Sequence, residues 1–257
     1  MSKAVLSCWG EREGDIFALH GFGGDAQDFD VVAAHSLYQW SGIDLLGHGN
    51  STLSLDPEAY RTETQLKVME PYFQGDVLLG YSMGARLALQ AVLRYPHQWQ
   101  ALVLISGTAG IEEDIDARIL WDRALAHKLQ TSTREEFWEY WSNLPIIATQ
   151  KRADSKFLLQ REERRAQQNP SALAASVLGF GTGFMPSVWN RLGEISIPVL
   201  LLVGEQDTKY VEIAQKLQQR ISVVEVVEIK NAGHAPHFEK PQECAAVIDR
   251  WISTLLR

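Results

Sequence analysis

The chain is short of cysteine, of long apolar runs and of basic residues, and each shortage removes a class of function. Two cysteines in 257 residues, Cys8 and Cys244, cannot build a disulfide framework or a zinc site. A single bridge between them is conceivable, but two reduced thiols in an intracellular protein are the expectation. No stretch is long enough in apolar residues to span a membrane. The first ten residues, Met1 to Gly10, lack the apolar centre of a signal peptide. A cytoplasmic protein is therefore expected. The formal net charge of −8 leaves no basic surplus to neutralise a phosphate backbone, which argues against nucleic acid as a partner. A small anionic ligand stays open, because a few pocket arginines set the local field. Neither a G-x-G-x-x-G run nor a lysine-bearing P-loop is present, and we find no internal repeat or low-complexity tract.

What is present describes an ordinary globular chain. With 46% hydrophobic and 22% charged residues, it can bury one large α/β core and carry an inserted subdomain. Short apolar runs at Ile16–Leu19, Gly42–Leu45, Asp76–Leu79 and Ala101–Ser106 alternate with helix-favouring stretches. That alternation predicts βαβ units and a parallel sheet. From about Gly110 to Pro186 no strand is evident. A charged helical stretch runs from Glu112 through Gln130, and Thr133-Arg134-Glu135-Glu136 has the form of a capping box before Phe137–Trp141. A further helix is expected from Phe157 to Gln168, stopping near Asn169-Pro170. The sheet resumes with Ile197–Val203 and Val223–Ile229, and the last helix is expected over Gln242–Leu256. The predicted organisation is a core from residues 1–110 and 187–257, interrupted by a helical lid at 111–186.

The densest information lies in Gly80-Tyr81-Ser82-Met83-Gly84, set between an apolar strand and a helix-forming run. A strand turning directly into a helix strains the turn residue, and small neighbours leave room for it. The serine would project over a helix N-terminus with its unpaired N–H groups. A tight turn whose serine merely caps the helix is the plain alternative. Asp207 and His234 follow later strands, giving the chain order Ser, Asp, His of the α/β hydrolases. In such a triad the imidazole takes the hydroxyl proton and the carboxylate fixes its tautomer. Glu205 rivals Asp207 for the acid role and His237 rivals His234, while His20 and His48 are expected to orient loops. The glycine-rich His20-Gly21-Phe22-Gly23-Gly24 follows the first evident strand. There the N–H of Phe22, with that of Met83, would form an oxyanion hole.

These motifs resemble the α/β-hydrolase superfamily over essentially the whole chain. They resemble most closely the 2-succinyl-6-hydroxy-2,4-cyclohexadiene-1-carboxylate synthase family, pyruvate-eliminating lyases of menaquinone and phylloquinone biosynthesis. Gly80–Arg86 is similar to that family's G-Y-S-L/M-G-G/A-R, Gly204–Tyr210 to its G-x-x-D-x-K-F/Y, and Gly233–Pro241 to its G-H-x-x-H-x-E-x-P. In the expected lid, Arg118 with Asp122, Trp141 with Pro145, Arg165 before Asn169-Pro170, and Gly179–Gly183 with Pro186–Trp189 match further family segments. Leu46 stands where a proline is common, and Ile147 where an aromatic residue is usual.

The resemblance implies Ser82, Asp207 and His234 as catalytic residues, with Arg118, Arg165, Arg86, Tyr81 and Trp141 around the substrate. It implies no metal, no organic cofactor and no obligatory protein partner. Arginine suits planar carboxylates because its fork donates two parallel hydrogen bonds, so lid arginines point to a polycarboxylate. Arg123, Arg134, Arg152, Arg161 and Arg164 are expected on solvated helix faces, and Trp141 could equally serve the core. Competing readings are a carboxylesterase or carbon–carbon bond hydrolase, and a non-catalytic receptor on the same fold.

Overall fold

The computed structural model describes residues 5–10 and 14–255. The first strands are β1 (Cys8–Gly10) and β2 (Ile16–Leu19), and α1 (Asp30–Ala33) leads to β3 (Trp40–Ile43). Next come α2 (Thr62–Met69), β4 (Val77–Tyr81), α3 (Met83–Arg94) and β5 (Ala101–Ile105). A wholly helical segment follows: α4 (Ile115–Thr131), α5 (Arg134–Ser142), α6 (Pro145–Ala148), α7 (Ser155–Gln167) and α8 (Pro170–Phe180). The chain closes with β6 (Val199–Gly204), α9 (Thr208–Gln218), β7 (Val224–Ile229), α10 (Pro236–Glu239) and α11 (Pro241–Leu255). Leu256, expected in the last helix, lies outside the described residues.

The strands form one sheet in the order β1-β3-β2-β4-β5-β6-β7. Every neighbouring pair is parallel except β1 with β3. Residues of β2, β4, β5 and β6 are buried throughout, as parallel strands covered by helices on both faces require. Alternation divides them between two cores. Phe17, Leu19, Leu78 and Leu102 pack toward α3, while Ile16, Ala18, Val77 and Leu79 pack with α11. A smaller third core, including Leu125, Phe137, Trp141, Leu173 and Val177, belongs to the helical segment. The capping box at α5 is present, with Thr133 accepting from the Glu136 N–H and Glu136 from the Thr133 N–H.

Chain direction across the sheet reverses at β2, whose neighbours are β3 on one side and β4 on the other. Ligand sites in open parallel sheets lie outside the strand ends at such a switch. The loops after β2 and β4 carry Phe22 and Ser82, so the topology itself brings these two segments together.

Several expected bounds shift for local reasons. The strand expected at Gly42–Leu45 is Trp40–Ile43. Beyond Ile43 the backbone turns to the loop after β2, the Leu45 N–H donating to His20 Nε2 while the Asp44 carboxylate accepts the N–H groups of Ala26 and Asn50. The Asn169-Pro170 pair, expected to end a helix, also opens α8: Asn169 accepts from the N–H groups of Ser171 and Ala172, with Pro170 in the first turn. β1 is a three-residue edge that the sequence pattern does not reveal. Its Cys8 is exposed and Cys244, in α11, is buried, and both are free thiols. No helix among the described residues is long and apolar enough to cross a membrane.

Candidate active site

Ser82 sits between β4 and α3 with φ 50° and ψ −105°, a left-handed conformation that L side chains rarely adopt. It is held there from both sides. Its N–H donates to Ile105 O at 2.9 Å, and its carbonyl accepts from the Arg86 N–H at 3.2 Å. A Cβ on Gly84 would lie 1.9 Å from Leu19 O, and one on Gly80 would lie 2.4 Å from Gly84 O. The glycines are therefore required by close backbone packing of strand, turn and helix.

His234 Nε2 stands 3.0 Å from Ser82 Oγ, and Nδ1 stands 2.6 Å from Asp207 Oδ2. With Nδ1–H donating to the carboxylate, the Nε2 lone pair faces the serine hydroxyl. His234 is 3% exposed, and the rings of Tyr210 and Tyr81 lie against it at 4.6 and 5.7 Å. Asp207 also caps α9, accepting from the Tyr210 N–H. The rivals lie elsewhere. Glu205 is occupied by Lys230 Nζ at 2.8 Å and the Asn231 N–H at 3.0 Å. His237 is enclosed by the rings of Tyr81, Phe29 and Phe238, and neither ring nitrogen has a hydrogen-bond partner.

His20 and His48 hold loops. His20 Nδ1–H donates to Gly21 O at 2.8 Å and Nε2 accepts from the Leu45 N–H at 2.9 Å. His48 Nδ1 lies 3.1 Å from Leu46 O. Burial drives both His48 and His237 down to about 3. The unfolded chain protonates these rings near pH 6.5 and the folded chain does so only near pH 3, so each contributes stability that is complete above pH 6.5 and is lost as pH falls. The slope is about 1.4 kcal/mol per pH unit for each ring. His237→Phe should therefore flatten the acid limb of the stability curve by about that amount. Urea midpoints at pH 7 and pH 4.5 would show it, and an unchanged slope would mean that the ring is protonated in the folded state.

Above Ser82, between the strand ends and the helical segment, lies a cavity of about 600 Å³. All five residues expected around the substrate line it, as do Phe22, Met83 and Ile147. Arg86 donates to Phe180 O at 2.8 Å, and burial lowers its pKa to about 10. Arg118 is 29% exposed and pairs with Asp122 at 3.0 Å, its guanidinium 4.5 Å over the Trp121 ring. Arg165 lies 4.7 Å over Trp138, with its buried Nε unpartnered. Burial lowers its pKa to about 9, so it remains a cation at neutral pH. Trp141 lines the cavity and also packs on Phe22 and Phe137. Burial raises the Tyr81 phenol far above its ordinary value, so its proton is retained.

Two arginines expected on solvated faces are not there. Arg161 is 4% exposed, lines the cavity, and donates to Asp28 at 3.0 Å and to Gln150 Oε1 at 3.0 Å. Arg164 reaches Asp25 at 2.7 Å and Asp28 at 2.8 Å. The cause is tertiary: α7 lays one face along the loop after β2, where Asp25 and Asp28 follow the glycines. Arg123, Arg134 and Arg152 are exposed as expected. Burial alone would raise Asp28, but Arg161, Arg165 and Arg164 together hold its carboxyl below the ordinary range. Sequence reasoning misses Asp28, Gln150 and the role of Arg161. Only the spacing of Arg161 from Arg165, one helical turn apart, could have signalled the last.

The model of the alpha/beta hydrolase family matches residues 16–247. A Bacillus subtilis (strain 168) protein, provisionally named 2-succinyl-6-hydroxy-2,4-cyclohexadiene-1-carboxylate synthase, is 32% identical over 93% of this chain and 90% of its own length. The protein of that name from Enterobacter sp. (strain 638) is 27% identical over 90% of this chain and 88% of its own. The solved structure of MenH from S. aureus superposes with a TM-score of 0.88 at 29% identity, covering all of both chains. The chain belongs to the alpha/beta hydrolase family and, within it, to the 2-succinyl-6-hydroxy-2,4-cyclohexadiene-1-carboxylate synthases.

Proposed function

We propose that this chain eliminates pyruvate from 2-succinyl-5-enolpyruvyl-6-hydroxy-3-cyclohexene-1-carboxylate, giving 2-succinyl-6-hydroxy-2,4-cyclohexadiene-1-carboxylate in menaquinone or phylloquinone biosynthesis. The observation that carries this reading is a serine–histidine–aspartate relay opening into a cavity that holds Arg86, Arg118, Arg161 and Arg165. An apolar ester would gain little from these guanidinium groups, whereas a polycarboxylate gains charge-assisted bonds from them.

In this mechanism His234, oriented by Asp207, takes the Ser82 proton, and the resulting alkoxide removes the acidic ring proton conjugated to the succinyl carbonyl. The freed electron pair becomes a ring double bond as the carbon–oxygen bond to the enolpyruvyl group breaks. The leaving group takes up a proton and departs as pyruvate, and no water is consumed. Negative charge gathers on the succinyl oxygen before the bond breaks, and the N–H groups of Phe22 and Met83 stabilise it. Met83 opens α3, where no intrahelical acceptor serves its N–H. Arg118, Arg165 and Arg86 hold carboxylates, while Tyr81 and Trp141 line the site. Residues 111–186 act as the lid over a core formed by 1–110 and 187–257. The substrate is a free small molecule, and the reaction belongs in the cytoplasm.

The test is to give the purified protein the enolpyruvyl precursor and follow pyruvate through NADH oxidation by lactate dehydrogenase. One pyruvate per precursor consumed is expected. Folded protein that releases none would overturn the proposal, and an acyl-Ser82 intermediate that accumulates on p-nitrophenyl esters would favour a hydrolase.

A further inference from the structure

One short turn of the helical segment, Thr149–Arg152, reaches the chain beside each member of the triad. Gln150 Nε2 donates to Tyr81 Oη at 3.1 Å, next to Ser82. Thr149 Oγ1 donates to Glu239 Oε1 at 2.9 Å, and the other Glu239 oxygen accepts from the Gly233 N–H at 3.1 Å, next to His234. Arg152 donates to Gln206 Oε1 at 2.5 Å, next to Asp207.

We infer that this turn is a positioning element for the proton relay, fixing through Thr149 and Gln150 the two loops that must keep Ser82 and His234 in register. Its seat is tight: a Cβ on Gly233 would fall 2.1 Å from the Thr149 hydroxyl oxygen, so the turn rests directly on the histidine loop. The Gln150 amide has its orientation set from the far side, because Arg161 donates to its oxygen at 3.0 Å and is itself held by Asp28. Its nitrogen is thereby committed to Tyr81, and the retained Tyr81 proton is free to point into the cavity. Gln150 is buried and Thr149 partly so, while the Arg152–Gln206 pair is exposed and contributes least. Proton transfer between Ser82 and His234 depends steeply on geometry, and a misplacement of about 1 Å costs on the order of a hundredfold in rate.

The test compares Thr149→Val, Thr149→Ser and Gln150→Met in the full chain. It reads kcat and KM for pyruvate release, the rate of Ser82 phosphonylation by a fluorophosphonate, and Tm. Thr149→Val and Gln150→Met should lower kcat and phosphonylation together by about tenfold, with KM within about twofold. Thr149→Ser, which keeps the hydroxyl, should restore both rates, and Gln150→Met should add nothing in a Tyr81→Phe background. Unchanged rates in folded Val and Met variants would overturn the inference, as would a serine variant that loses as much as the valine. If Thr149→Val fails to fold, the Gln150–Tyr81 cycle decides. The pyruvate readout rests on the proposed function, but phosphonylation does not. Wild-type protein that labels at Ser82 yet releases no pyruvate would overturn the lyase reading and leave the labelling rates to judge this one.

Discussion

Ser82→Ala is expected to lower kcat for pyruvate release by about a thousandfold or more, with KM within a few-fold of wild type. In the proposed mechanism the hydroxyl is the group that His234 converts into a base, and the neighbouring Tyr81 and His237 offer no replacement. Tyr81 is held protonated by burial, and His237 has no hydrogen bond to the serine or to Asp207. The change leaves the cavity arginines proposed to hold the substrate untouched, so binding should survive. His234→Ala should cost a similar factor, and the double variant should be no worse than either single one, because the two groups act as a unit. Steady-state kinetics with the coupled pyruvate assay would check this. A Ser82→Ala enzyme within tenfold of wild type would show that the proton is removed by another group.

The second large effect is on stability. Asp28→Asn should destabilise the fold by about 3–5 kcal/mol, since removing one partner of a buried ion pair strands the other. Asp28 is 1% exposed and is approached by Arg161 at 3.0 Å and Arg164 at 2.8 Å, with the Arg165 charge also acting on it. The neutral amide keeps the shape but leaves the guanidinium of Arg161, itself 4% exposed, without its counter-charge. For a chain of this size the loss corresponds to a fall in Tm of roughly 6–20 °C. Replacing Asp28 together with its most buried partner, as Asp28→Leu with Arg161→Met, should recover part of it, because an apolar pair avoids the desolvation cost and Arg164 keeps its pairing with Asp25. Thermal melts of the two variants against the wild type would decide. A loss below about 1 kcal/mol for Asp28→Asn would mean that the network is hydrated and contributes little.

The contrast between these residues explains what the sequence makes legible. The serine elbow is a pentapeptide whose geometry follows from adjacent residues, Asp207 follows an apolar strand that is visible as a run, and His234 follows the β-branched, glutamate-interrupted strand Val224–Ile229. Their meeting needs only the parallel order of those strands. Arg161 and Asp28 are separated by 133 positions, and nothing local to either says that α7 will lie along the loop after β2. Arg161 therefore reads as one more charge on a polar helix. Gln150 is invisible for the same reason, since its partners Tyr81 and Arg161 belong to different parts of the chain. β1 escapes because three residues show no periodicity. α8 escapes because Asn169-Pro170 carries the signals of a stop and of a start at once, and only the capping bonds to Ser171 and Ala172 reveal the start.

The two thiols have a practical consequence. Cys8 is exposed on the outermost strand and Cys244 is 0% exposed among apolar side chains, where burial pushes its pKa far up. Maleimide chemistry at mildly alkaline pH therefore has a single accessible sulfur on the native protein. A fluorophore or a surface tether can be attached at Cys8, several strands away from Ser82, without engineering a cysteine.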